Sequence, residues 1–147
     1  RPSSAWGRLA QGGLAQERSG VRVLASTAGH SCRSLYVYYC GQYGTHPNSE
    51  LVRTLTDEVD HFNLDSLALR DNLVGDRGLL PVLEVCRANP RLRELVLPNN
   101  SIRTRGVEWI VDLCLKHPSL QALDLSQNKH ITLPAAPMVQ ALVQNNR

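Results

Sequence analysis

Residues 64–72 read LDSLALRDN, residues 92–100 read LRELVLPNN and residues 120–128 read LQALDLSQN. The three stretches share one pattern, L-x-x-L-x-L-x-x-N, at an unbroken spacing of 28 residues. Leu64, Leu92 and Leu120 open it. Leu67, Leu95 and Leu123 follow, then Leu69, Leu97 and Leu125, and Asn72, Asn100 and Asn128 close it. Self-similarity at a fixed period of this length predicts a solenoid, in which one supersecondary unit is stacked on the next.

Each unit divides in two. Leu67 and Leu69 alternate with Ser66, Ala68 and Arg70, the period of two that sends alternate side chains to opposite faces of a strand. The asparagine then turns the chain, and its side chain can satisfy backbone groups that a tight turn leaves unpaired. The asparagines are therefore expected to be structural. A helix follows. In GDRGLLPVLEVCRANP, residues Leu79, Val82, Leu83 and Cys86 share one face, and in TRGVEWIVDLCLKHP the same holds for Val107, Ile110, Val111 and Cys114. Pro81 is expected in a first helical turn. Pro90 and Pro118, in register, stop each helix. In the last copy the helix face falls on Ala136, Val139, Leu142 and Val143.

A degenerate copy precedes the three regular ones. CRSLYVYYC at 32–40 aligns with LDSLALRDN at an offset of 32, with Leu35 and Val37 inward and Cys40 at the asparagine position. NSELVRTLTDEVD then supplies a helix, capped by Asn48 or Ser49. This gives an array over 32–147 in four units, 32–63, 64–91, 92–119 and 120–147. Residues 1–31 form an N-terminal extension or cap, partly disordered, with a strand-like VRVLAS at 21–26.

A 28-residue unit with a full helix, and with Asn or Cys at the turn, resembles the leucine-rich repeats of the ribonuclease-inhibitor type. The resemblance covers residues 32–147. It implies an α/β horseshoe arc with a parallel sheet on the concave face and helices outside. Members of that family are intracellular and include inhibitors, GTPase-activating proteins, innate immune sensors and cytoskeletal proteins. What the resemblance implies is macromolecular binding.

Composition narrows the classes further. The 147 residues carry a net charge of +3 with the basic residues scattered, so nucleic acid is not the expected partner. No apolar run reaches the length that spans a bilayer, and the start shows no secretory pattern. The first residue is Arg1, which reads as a fragment of a longer chain. Cys86 and Cys114 hold the same place in successive units, too far apart for a disulfide, and read as small buried hydrophobes. Unpaired thiols point to an intracellular, reducing and cytoplasmic setting.

Candidate sites follow from the strand alternation. The outward rows are Ser34, Ser66, Glu94 and Ala122; Tyr36, Ala68, Val96 and Asp124; and Tyr38, Arg70, Pro98 and Ser126. Tyr36, Tyr38 and Tyr39 with Arg70, Val96 and Asp124 form the expected partner-binding patch, because tyrosine joins apolar area to a polar tip. The alternative is intramolecular cover of these tyrosines by residues 1–31. A second expected interface is the open C-terminal layer of Leu123, Leu125, Ile131, Val139 and Leu142, through which the chain can self-associate.

His30, Cys32, Cys40 and His46 are residue types that zinc accepts, but their spacing matches no common finger and no metal is expected. His61, His117 and His130 read as solvated. No nucleophile elbow, phosphate loop or metalloprotease motif is present. No catalytic residue, cofactor or small-molecule substrate is expected. The reading is a non-enzymatic protein–protein interaction scaffold. The alternatives are a regulator of a GTPase and a purely structural spacer.

Overall fold

The computed structural model describes residues 20–131. They form α1 (Cys32–Tyr43), α2 (Ser49–Thr54), β1 (Ser66–Ala68), α3 (Gly75–Ala88), β2 (Glu94–Val96), α4 (Thr104–Lys116) and β3 (Ala122–Asp124). The strands make one parallel sheet in the order β1-β2-β3. Ser66 pairs with Glu94 and Glu94 with Ala122, Leu67 with Leu95 and Leu95 with Leu123, Ala68 with Val96 and Val96 with Asp124. Parallel strands need a long crossover, and α3 and α4 supply the two that this sheet requires.

The expected solenoid of four strand–helix units is not what these residues form. Four helices and three short parallel strands in an open sheet make a small mixed α/β unit among the described residues. The overturning finding is the stretch 32–40, expected as a strand and folded as α1. Its buried residues are Cys32, Leu35, Tyr36, Tyr39, Cys40 and Tyr43, an i, i+3, i+4 series that faces one way only on a helix. Val37, expected inward, is 43% exposed.

Both ends of α1 are specified locally. Ser31 Oγ accepts from Ser34 N at 3.0 Å while Ser34 Oγ accepts from Ser31 N at 2.9 Å, a reciprocal capping box. At the other end Gly44 sits in the left-handed region at φ 71° and its N–H bonds back to Cys40 and Gly41. That conformation is one glycine adopts without a Cβ penalty. Two strong caps and a continuous buried face outweigh the strand propensity of tyrosine and valine.

Pro81, expected in the first turn of its helix, is placed differently in α3. The helix begins at Gly75, so Pro81 lies inside it rather than in its first turn. There it removes one helical N–H donor.

The core is a leucine layer under the sheet and between the helices. Leu67, Leu69, Leu95, Leu97, Leu79, Leu83, Val107 and Ile110 are all buried. α3 is packed against both α1 and α4, which accounts for the burial of every residue from Leu79 to Cys86. α3 and α4 approach closely at Gly106, where an added Cβ would collide with Asp76 Oδ1 and come within 2.9 Å of Ile102 Cγ2. The four cysteines are free and buried. Burial pushes the thiols of Cys86 and Cys114 upward, which keeps them protonated and unreactive.

No helix among the described residues is long and apolar enough to cross a membrane. The face of Ala136, Val139, Leu142 and Val143 lies outside the described residues.

Candidate sheet-face interface

The outer face of the sheet is set by strand alternation and held by asparagines. Leu67 and Leu95 point into the core and are buried, which leaves Ser66 and Ala68 exposed on β1, Glu94 exposed beside Val96 on β2, and Ala122 exposed beside half-buried Asp124 on β3. Immediately beyond the strands, Asn72 N donates to Asn100 Oδ1 at 3.0 Å and Asn100 N donates to Asn128 Oδ1 at 2.8 Å. The Asn100 amide group donates in turn to Leu69 O and Pro98 O, and that of Asn128 to Leu97 O and Leu125 O. Each asparagine therefore ties its own turn to the preceding one. Buried backbone groups left without partners would cost about 1–3 kcal/mol each, so this ladder is a principal support of the face.

The ladder extends one rung further than the period predicts. Asn48, the cap of α2, accepts from Leu51 N at 3.0 Å and donates to Asn72 Oδ1 at 3.2 Å. The spacing from 48 to 72 breaks the 28-residue rule, so the sequence carried no signal for it. The turns themselves pass through the left-handed region in register, at Asp71, Asn99 and Gln127. Asn99 Nδ2 donates to Asp71 Oδ1 at 2.8 Å and links two of these turns on the exposed side.

On the face, Ser66 Oγ donates to Glu94 Oε1 at 3.0 Å. Asp124 accepts from Ser126 N at 2.9 Å. That backbone bond first, the Ser126 hydroxyl second and the charge of Arg70 last hold the Asp124 carboxyl below the usual carboxylate range. The surface is thus anionic at Glu94 and Asp124 and cationic at Arg70, whereas Val96 between them, expected to face a partner, is buried. At the start of the strands a depression of about 290 Å³ is bordered by Asp65, Arg93, Glu94 and Gln121.

The tyrosines expected on this face are elsewhere. Tyr36, Tyr38 and Tyr39 belong to α1, because 32–40 is helical. Tyr36 is buried and its hydroxyl accepts from Asn48 N at 2.8 Å; burial pushes its ionisation upward. Tyr39 is buried and accepts from Leu24 N at 3.1 Å. Half-buried Tyr38 donates to Arg22 O at 2.6 Å. Tyr43 donates to buried Glu84 Oε2 at 2.6 Å. These phenols join α1 to the segment 20–30, to α2 and to α3. They make intramolecular bonds and do not line the sheet with Arg70, Val96 and Asp124, which the structure does bring together.

Other expected sites resolve as follows. Leu123, Leu125 and Ile131 are partly buried and pack against the core, whereas Val139 and Leu142 lie outside the described residues. Among the described residues no three metal-ligating side chains converge. Cys32 instead contacts the Asn89 side chain and His61 O.

His117 is not solvated. Its Nδ1 accepts from Ser119 N and Leu120 N, both at 3.1 Å, and its Nε2 lies 3.1 Å from Cys86 O and 3.0 Å from Asn89 O. This pattern fits the tautomer with the proton on Nε2. Asn89, one period earlier, also joins a helix end to a strand entry, but to the preceding one, accepting from Leu64 N and donating to Val85 O of its own helix. The 28-residue register between Asn89 and His117 was the signal that would have revealed it. Comparison with protein-family models, with curated proteins and with solved structures finds no match.

Proposed function

We propose that the chain is a non-enzymatic protein-interaction module that binds a partner protein on the open sheet face. Arg70, Glu94 and Asp124 supply charge for the contact, and Ser66 its margin. The observation that carries this reading is a fixed backbone under side chains that the core does not use. Arg70 and Glu94 are exposed, and the asparagine ladder holds the turns beside them. A surface ordered before contact loses less freedom on binding than a mobile one. Charges of both signs at set positions favour specificity and orientation over raw affinity. The resemblance of the blocks 64–72, 92–100 and 120–128 to leucine-rich repeats, a family of macromolecule binders, supports the same reading.

Charge reversal tests it. Glu94→Arg and Arg70→Glu alter the face without touching the ladder. Proteins held by the wild-type chain should be lost by both variants, with affinity at least about tenfold weaker and thermal midpoints unchanged. Partners retained equally by both variants would sink the sheet-face reading.

A further inference from the structure

Residues 20–30 form neither helix nor strand, yet their backbone is tied down at both ends. Arg22 N donates to Gln42 Oε1 at 2.8 Å, Leu24 N donates to the Tyr39 hydroxyl at 3.1 Å, and Tyr38 donates to Arg22 O at 2.6 Å. Further along, His30 N donates to Thr27 O at 3.0 Å and Gly29 N to Asp60 Oδ1 at 2.8 Å. Between these ties, residues 23–27 border a cleft of about 380 Å³ whose other walls come from α1, at Leu35 and Tyr39, and from α3, at Glu84, Arg87 and Ala88. That volume falls in the range of about 300–1,000 Å³ of small-molecule sites, which are largely preformed. The ties make this one preformed as well.

The walls are of two kinds. Leu24, Leu35 and Ala88 supply apolar surface, and Arg87 is the one cation among the described residues that line the cleft. Its guanidinium is underused. Nε is buried without a hydrogen-bond partner, and Glu84 Oε1 stands 3.9 Å from it, beyond hydrogen-bond reach. Glu84 is 2% exposed, and its Oε2 accepts from the Tyr43 hydroxyl at 2.6 Å, whereas the Arg87 side chain keeps 35% of its surface open. Glu84 therefore offsets the charge of Arg87 without engaging its donors.

We propose that this cleft binds a small monocarboxylic acid with an apolar body. A carboxylate matches the planar fork of Arg87 with its two oxygens, and the body lies against Leu24, Leu35 and Ala88. Because Glu84 offsets the net charge, the attraction is short-range and rests on hydrogen-bond geometry, so the ligand needs both of its parts. The cleft is separate from the sheet face, and either can fail without the other.

The test titrates the full chain with phenylacetate and follows the backbone amides by NMR. Saturable shifts should centre on residues 23–27 and 84–88. Phenylacetamide keeps the shape and removes the charge, while inorganic phosphate keeps an anion and removes the body; each should bind about tenfold more weakly or worse. Arg87→Met retains the apolar stem of the side chain and should weaken phenylacetate about tenfold. Ala88→Leu narrows the cleft and leaves Arg87 in place. It should weaken binding by a similar factor with an unchanged circular dichroism spectrum, and it serves as the test if Arg87→Met fails to fold.

The proposal is overturned if phenylacetate gives no saturable shifts at 23–27 and 84–88, or if phenylacetamide or phosphate binds as tightly. It is also overturned if either variant, folded, binds phenylacetate as the wild-type chain does.

Discussion

Residues 32–40 and residues 64–72 are similar strings with opposite structures. CRSLYVYYC and LDSLALRDN both place apolar residues at their fourth and sixth positions. The second forms a strand under Leu67 and Leu69, and the first forms a helix whose face is Cys32, Leu35, Tyr36, Tyr39 and Cys40. A nonapeptide rich in apolar residues fits periods of two and of 3.6 equally well. Its ends decide. LDSLALRDN ends on an asparagine that joins the ladder, whereas CRSLYVYYC follows a serine capping box and runs on to Tyr43 and Gly44. Flanking chemistry thus outranks internal alternation when the alternation is short.

The largest test of that contrast exchanges the ninth residue. Asn100 is fully buried and serves Asn72 N, Leu69 O and Pro98 O. Asn100→Ala should cost about 3 kcal/mol in urea unfolding, because it strands several backbone groups at once. Cys40 aligns with that position but is buried inside α1, where its thiol meets the hydroxyls of Tyr36 and Thr45 rather than backbone groups of a turn. Cys40→Asn should therefore cost about 2 kcal/mol by burying an amide without backbone partners. A neutral Cys40→Asn would mean that 32–40 can adopt the turn of the regular units.

Glycines sharpen the same comparison. Gly106→Ala drives a Cβ into Asp76 and Ile102, and Asp76 Oδ1 also accepts from Arg103 N at 2.8 Å. The expected loss is about 1–3 kcal/mol, read as a lower thermal midpoint. Gly41, in α1, has open space around its Cβ position. Gly41→Ala should stabilise by up to about 1 kcal/mol through helix propensity.

Next in size is Leu73, which is 80% exposed and held at φ 52°. A left-handed leucine costs about 1–2 kcal/mol. Leu73→Asn should recover about 1 kcal/mol in chemical denaturation, and an unchanged or lowered midpoint would show that the leucine packs in solution.

The smallest effect is electrostatic. Asp124 is held below the usual carboxylate range, so its contribution to stability is present above that range and is lost as pH falls through its depressed midpoint. An NMR titration of its carboxyl carbon should show the low midpoint. Arg70→Ala should raise it only slightly, since Ser126 N supplies the larger cause.

From the sequence alone the 28-residue period already determined which residues pair across the sheet, because Ser66, Glu94 and Ala122 differ by that period. It also determined the asparagine ladder and the positions of Arg70, Val96 and Asp124 on one face. These are local or strictly repeated features, and repetition lets several weak signals add. Only the tertiary structure decided the fate of 32–40, the destinations of the four phenols and the rung at Asn48. Each of those depends on what a single, unrepeated side chain meets across the core. Tyr36 meets Asn48, Tyr39 meets Leu24 and Tyr43 meets Glu84. Such meetings are set by how α1 packs on its neighbours, and no spacing along the chain records them.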